Sequence, residues 1–318
     1  MPVLSRFTRP RPCALVAVLS LTAFVAGCGQ SPDGSDAVTA ATSTEVTVPV
    51  SAVTATVLDP GTEPRAVRRL TPEAGVEQSV ILTTRSEVFQ QIGDQPRQDF
   101  STPELTLPLT ATVTQAVSPA TPSTLVDLVL GDVSSSDPTL EESFAAAEGS
   151  GAGLTIGPNG AVSALRLEPA DDAANVTRSA IEQSFYQAVY RMVAFPDSEI
   201  GVGAVWQLHQ QVMSAGITID QVGTTTLVSN EDDRLTVQVK LEQTPREPTW
   251  VLPNGQGHLD IEHYTMAGEG TMIVDPAMPL PIEGEFTVSG DQTYVDPDGS
   301  TRLAQSQVDR VAWSTPDA

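Results

Sequence analysis

From about Arg68 to the C-terminus, apolar and polar residues alternate with a period of two, and nothing else in the chain constrains its fold as much. A strand sends successive side chains to opposite faces, so many short alternating runs imply an antiparallel sheet with one buried face. The runs at 76–92, 105–117, 125–133, 162–167, 205–215, 217–229, 234–243, 258–267, 270–274, 282–295 and 301–313 read as strands. Pro103, Pro108, Pro119 and Pro122 mark edges or bulges among them, because proline cannot donate to a ladder. Asn159-Gly160, the stretch Asn230 to Asp233, and Asp296-Pro-Asp-Gly299 are the turn signals between runs.

One segment changes period. Between about Asp172 and Phe195, the residues Ile181, Phe185, Ala188, Val189, Met192 and Val193 recur at helical spacing. Asn175 opens this helix and Pro196 ends it, since the residue before a proline is pushed out of the α region. A shorter helix at 139–148 follows Asp137-Pro138. The expectation is a mainly β (α+β) fold. About ten strands form a large curved antiparallel sheet or half-barrel, and one amphipathic helix packs across it. A ligand pocket, where there is one, belongs between the sheet and the helix face carrying Ile181, Phe185, Val189 and Met192.

The N-terminus has a different character. Arg6, Arg9 and Arg11 precede a twelve-residue apolar stretch from Ala14 to Val25, which is too short to span a bilayer and suits a signal sequence. The tetrapeptide Val25-Ala26-Gly27-Cys28 follows. It resembles the lipobox of bacterial lipoproteins, which implies cleavage before Cys28 and acylation of its sulfur. Two acyl chains satisfy the requirement that stable anchoring takes more than one lipid. The organisation expected is a signal peptide at 1–27, a flexible tether at 28–66 and a single β-rich extracytoplasmic domain at 67–318. Residues 44–65 alternate Val and Thr but are broken by Pro49, Pro60 and Pro64, so they read equally as tether or as a loose edge strand.

The anchor uses up the sulfur chemistry. Cys13 leaves with the leader and Cys28 becomes the attachment point. The mature domain is then expected to hold no disulfide, no thiolate metal site and no cysteine nucleophile. Charge excludes other classes. The formal net charge of −24 moves to −27 when the leader takes away three arginines and no acid. A chain so acidic lacks the basic footprint that nucleic acid or anionic lipid requires. Lys240, in Val-Gln-Val-Lys-Leu, belongs to neither a phosphate loop nor a Ser-x-x-Lys pair. The excess of arginine over lysine points to a GC-rich genome.

Phe195-Pro-Asp-Ser-Glu-Ile-Gly-Val-Gly-Ala-Val-Trp206 resembles a passage of uncharacterised bacterial, actinobacterial-type envelope lipoproteins in which a helix ends and a strand opens on a tryptophan. The hairpin Gly157 to Val162 is similar to theirs. The layout also resembles, more distantly, the half-barrel lipoproteins that carry lipids. The resemblance implies an envelope lipoprotein and assigns no functional residue.

Side-chain chemistry is sparse. His258-Leu-Asp260-Ile-Glu262-His263 places His258, Asp260 and Glu262 on one strand face and His263 on the other, an arrangement that could begin a metal site but reads first as a solvent-facing row. His209 lies on a strand, and no Gly-x-Ser-x-Gly elbow accompanies it. The acidic turns match no twelve-residue calcium loop. With aromatics at only 5%, Trp206, Trp250 and Trp313 read as core. The expectation is therefore a non-enzymatic envelope protein with no catalytic residue, metal or cofactor. It meets the membrane through its anchor and binds an apolar ligand or another envelope component. The alternatives are an envelope hydrolase with a dispersed site and a purely structural or interaction module.

Overall fold

The computed structural model describes residues 45–316. The signal region, Cys28 and residues 29–44 of the expected tether lie outside the described residues. In chain order the elements are β1 (Val46–Pro49), β2 (Thr54–Asp59), β3 (Glu77–Ile92), β4 (Gln98–Asp99), β5 (Thr102–Gln115), β6 (Thr124–Leu130), β7 (Ser134–Ser135) and α1 (Glu141–Ala145). There follow β8 (Gly151–Ile156), β9 (Val162–Glu168), α2 (Asn175–Val189), β10 (Val205–Ser214), β11 (Ile217–Glu231), β12 (Arg234–Pro245), β13 (Thr249–Val251), β14 (His258–Val274), β15 (Glu283–Val295) and β16 (Arg302–Ser314). The sheet thus begins at β1, and Val46–Pro49 and Thr54–Asp59 are strands rather than tether.

All sixteen strands belong to one sheet, ordered β1-β9-β8-β6-β5-β3-β16-β15-β14-β12-β11-β10-β2, with β4, β7 and β13 as short side pairings. Two antiparallel meanders compose it, and they join where β16 returns to pair with β3 from Leu303↔Ile92 to Ser314↔Ile81. The sheet's seam falls between its terminal strands β1 and β2, which flank β9 and β10, the strands that α2 connects. β1 lies against β9 and β2 against β10, so the two free edges are neighbours in sequence. The four-residue link between them reaches about 17 Å at most. The Val50 amide donates to Ser163 O, and Gln210 Nε2 donates to Ser51 O, at 2.9 Å each. The sheet is therefore coiled until its edges nearly meet, without closing into a barrel.

Alternation makes the concave face. Leu105, Leu107, Leu109, Ala111 and Val113 on β5, and Val80, Leu82 and Thr84 on β3, point inward and are buried. Helix α2 lies on this face and sends Ile181, Phe185, Ala188 and Val189 into the same core as Leu82, Leu107, Leu165 and Trp313. It is pinned across the sheet by a buried 2.7 Å hydrogen bond between Ser184 and Thr84.

α2 stops at Val189, six residues short of the end expected from periodicity, and Met192 lies beyond it. Tertiary hydrogen bonds explain the early stop. The Phe195 amide donates to Asn159 O in the β8–β9 hairpin at 2.8 Å, and Trp206 Nε1 donates to Ala194 O at 3.0 Å. These bonds draw residues 194–195 away from the helix path, and the last helical turn tightens into i→i−3 bonds at Arg191 and Met192. The passage from Phe195 to Trp206 is the hinge of this arrangement, its two rings tilted at 36° with centroids 5.9 Å apart. Gly203 takes φ +84°, and at Gly201 the backbone of Thr62 occupies the space of a Cβ.

Two other boundaries differ from the sequence reading. The β11–β12 turn is only Asp232-Asp233, both at positive φ (50° and 63°), as a two-residue hairpin requires. The runs at 258–267 and 270–274 form one strand, β14. Gly268 and Gly270 stay in its ladder because the Phe286 ring from β15 lies over both.

Candidate functional site

The concave lining divides into an apolar end and a polar end, the latter flanked by two smaller apolar clusters around Trp250 and Phe286. At the apolar end α2 fills the space almost completely. The cavity beside it has a volume of about 20 Å³ and is lined by Leu167, Ala173, Ile181 and Phe185, with Arg178 and Glu182. That holds roughly one water molecule and no acyl chain. Of the helix face expected to line a ligand pocket, Ile181 and Phe185 border this cavity, Val189 is packed in the core, and Met192 is off the helix.

The polar end was not anticipated. The inward parity that carries Leu82 and Thr84 continues along β3 to Ser86 and Gln90, and the parity that carries Trp313 and Val311 continues along β16 to Asp309, Gln307 and Gln305. Their amides form a directed chain. Gln90 Nε2 donates to Gln305 Oε1 (2.7 Å), Gln305 Nε2 to Gln307 Oε1 (3.3 Å), and Gln307 Nε2 to Asp309 Oδ2 (2.7 Å). Ser86 Oγ donates to the other Asp309 oxygen at 2.6 Å. On β15, Gln292 accepts from Gln305 Nε2 (3.0 Å) and from the Tyr294 hydroxyl (2.7 Å). A network satisfied in this way avoids the penalty of buried polar groups without partners.

Arg191 enters this end from just past α2. Its Nη1 donates to Gln221 Oε1 at 3.0 Å and to Tyr190 O at 3.3 Å, the latter a carbonyl at the helix C-terminus. Gln221 in turn accepts from Gln243 Nε2 at 2.9 Å. The guanidinium carbon stands 5.4 Å from the centre of the Phe286 ring. That ring can lie against β14 because Gly268 and Gly270 carry no side chain there; a Cβ at Gly268 would meet Phe286 Cε1 at 3.1 Å. Among the described residues no carboxylate comes within ion-pair distance of Arg191. Burial lowers the Arg191 pKa to about 10, against the pull of Asp309. Burial raises the Asp309 carboxyl above its usual range, opposed by Ser86, Arg191 and Gln307. Burial and the Asp309 charge push the Tyr264 hydroxyl up to about 12.

The histidine cluster does not converge. His258, Asp260 and Glu262 form an exposed row on β14, with Glu262 paired to Arg302. A bulge between Ile261 and His263 turns His263 outward as well, contrary to the strict alternation expected, and Tyr264 takes the inward position. His209 is exposed on β10. Among the described residues no group of three His, Cys, Asp or Glu is arranged to hold a metal. An open outer groove of about 600 Å³ between β3 and β5 is lined by Arg85, Glu87, Phe89, Asp99 and Glu104. Its one arginine is already paired with Glu87 at 3.0 Å.

These features define a class: an open, coiled antiparallel sheet with an internal helix and a polar, partly solvated concave end. No family model and no curated protein matches the chain. Among solved structures, the in-vitro folded trimer form of OmpT, an outer membrane protein of Vibrio cholerae, aligns with 75% of this chain and 100% of its own at 10% identity, with a TM-score of 0.17. So low a score carries no argument about fold or function.

Proposed function

We propose that the chain is a lipid-anchored, non-enzymatic cell-envelope protein that works by binding, and that it receives its ligand on the polar end of the concave face. The division of the concave lining carries this reading. The apolar end, where a lipid carrier needs room, is occupied by α2. The polar end holds Arg191, Gln90, Gln305 and Gln307, all of which keep some solvent contact. A hydrolase gains no support from the geometry, because His209, His258 and His263 are exposed and, among the described residues, none hydrogen-bonds a serine or pairs with a carboxylate. Attachment falls to Cys28. Among the described residues no helix is long and apolar enough to cross a membrane. The strongly acidic domain stands off the anionic surface that its acyl chains grip.

Native mass spectrometry of the full chain, extracted from its host in detergent, tests the reading. A polar adduct that disappears in a Gln305→Leu, Gln307→Leu double variant supports it. Stoichiometric non-covalent phospholipid, bound beyond the acyl chains on Cys28, overturns it in favour of lipid carriage.

A further inference from the structure

We infer that Arg191 is the anchor of a carboxylate site, and that the ligand taken by the concave polar end is a small organic acid with further hydrogen-bonding groups. The inference rests on the binding reading above and names the ligand's chemistry. Arg191 spends only Nη1 on the protein, on Gln221 Oε1 and Tyr190 O. Nε and Nη2 make no hydrogen bond to the described residues. Neither is among the sealed atoms without a partner, which are Arg68 Nε, Gln187 Oε1, Thr225 Oγ1 and Trp313 Nε1. The free edge of the guanidinium therefore meets solvent-reachable space inside the coiled sheet. Nε–H and Nη2–H together form the fork that binds a carboxylate through two parallel hydrogen bonds.

The rest of the surroundings selects the ligand. Gln221 and the Phe286 ring hold the guanidinium in place, so little rotamer entropy remains to be lost on binding. Asp309, the carboxylate that acts on Arg191 across the interior, has its two oxygens engaged by Ser86 and Gln307 and does not reach the fork. It also disfavours a second negative charge, which selects a monocarboxylate over a phosphate dianion. The Tyr264 hydroxyl and Gln243 Oε1 carry no hydrogen bond that they donate or accept within the protein, and they offer a donor and an acceptor to the remainder of the ligand.

Ligand-observed NMR on the full chain in detergent, with lactate as probe and methyl lactate and inorganic phosphate as controls, tests this. Lactate is expected to bind, with methyl lactate and phosphate at least tenfold weaker. Loss of one bidentate, charge-assisted contact corresponds to roughly 10- to 100-fold in affinity. Arg191→Gln should lose lactate binding by that factor. Arg191→Lys keeps the charge and the helix-terminal contact but lacks the fork, so it should weaken lactate while leaving near-UV circular dichroism unchanged. Asp309→Asn should tighten lactate several-fold, whereas an Arg191 whose task is only to neutralise Asp309 gives no gain. Equal binding of lactate and methyl lactate overturns the carboxylate assignment and leaves the polar binding surface standing. Wild-type lactate affinity in both Arg191 variants, or no lactate binding at 50-fold the concentration of the chain, overturns the assignment of Arg191. Phospholipid found on the purified chain overturns the binding reading itself.

Discussion

The docking of α2 against β3 hangs on two hydroxyls, and their removal one at a time and together should not add up. Thr84 is 4% exposed and Ser184 3%, and their oxygens are 2.7 Å apart. Ser184 Oγ also lies 3.0 Å from Ala180 O, one turn back along the helix, and donates its proton there. Thr84 must therefore be the donor to Ser184. Thr84→Val removes that donor but leaves the Ser184 proton satisfied by its own helix, so the cost is about 1 kcal/mol, that of one ordinary buried hydrogen bond. Ser184→Ala strands the Thr84 hydroxyl in an apolar surround and costs about 1–3 kcal/mol. The better helix propensity of alanine offsets a few tenths of that. The double variant has no stranded group and should cost less than the sum by about 1 kcal/mol or more. Urea unfolding of the four chains, followed by tryptophan fluorescence, measures the coupling. Additivity within about 0.3 kcal/mol would mean that the two hydroxyls do not depend on each other, and α2 would then have to be docked by its apolar face alone.

Trp206→Phe removes the bond to Ala194 O and part of a side chain that is fully buried, so the midpoint of thermal unfolding should fall by several degrees; an unchanged midpoint would sink the hinge described at 194–206. Asp309 has its folded pKa raised, so the native state binds more protons than the unfolded chain between the ordinary carboxylate range and the raised value. Stability should therefore fall as pH rises through that window, and Asp309→Asn should flatten the slope; a wild-type slope of opposite sign in urea midpoints refutes this. Metabolic labelling with an alkyne fatty acid should mark the wild type and not Cys28→Ala, and equal labelling removes the lipoprotein reading. His209→Gln, His258→Gln and His263→Gln should each change stability by less than about 0.5 kcal/mol, as expected for exposed strand positions, and a larger loss in urea midpoint would show a structural role the outer faces do not display.

The strands were legible wherever local alternation sufficed, and so was the place of α2 across a curved sheet. What escaped the sequence depends on pairing between distant segments. On β16 the residues Ala304 and Val308 look like the buried parity and Gln305, Gln307 and Asp309 like the solvent parity. The order is reversed, because Val311 and Trp313 fix which face is inside and the strand stays in phase up to Leu303. Gln90, Gln305 and Gln292 become neighbours only through the β3–β16 and β15–β16 registers, which local periodicity does not encode. His263 was placed inward because a bulge adds a residue that alternation cannot foresee. β1 and β2 read equally as tether or as a loose edge strand because each is short and interrupted by proline, and they are strands because β9 and β10 present unpaired edges for them.

The division of the concave face follows from having one helix and a long sheet. α2 is fifteen residues long and covers only the end of the coil where β3 and β16 present Leu82, Thr84, Val311 and Trp313. Beyond its C-terminus two smaller apolar clusters, around Trp250 and around Phe286, cover part of the sheet, and the inward side chains between them must satisfy one another. Glutamine suits that position, since it is long and neutral and both donates and accepts. Charges are dearer to bury, and this end uses two with separate tasks: Asp309 closes the amide chain, and Arg191 caps the helix and turns its free edge to the interior. The largest apolar cluster thus lies at the end that α2 fills. The polar end is left with groups whose remaining hydrogen-bonding capacity points inward, and that is where a ligand meets the fewest structural obligations.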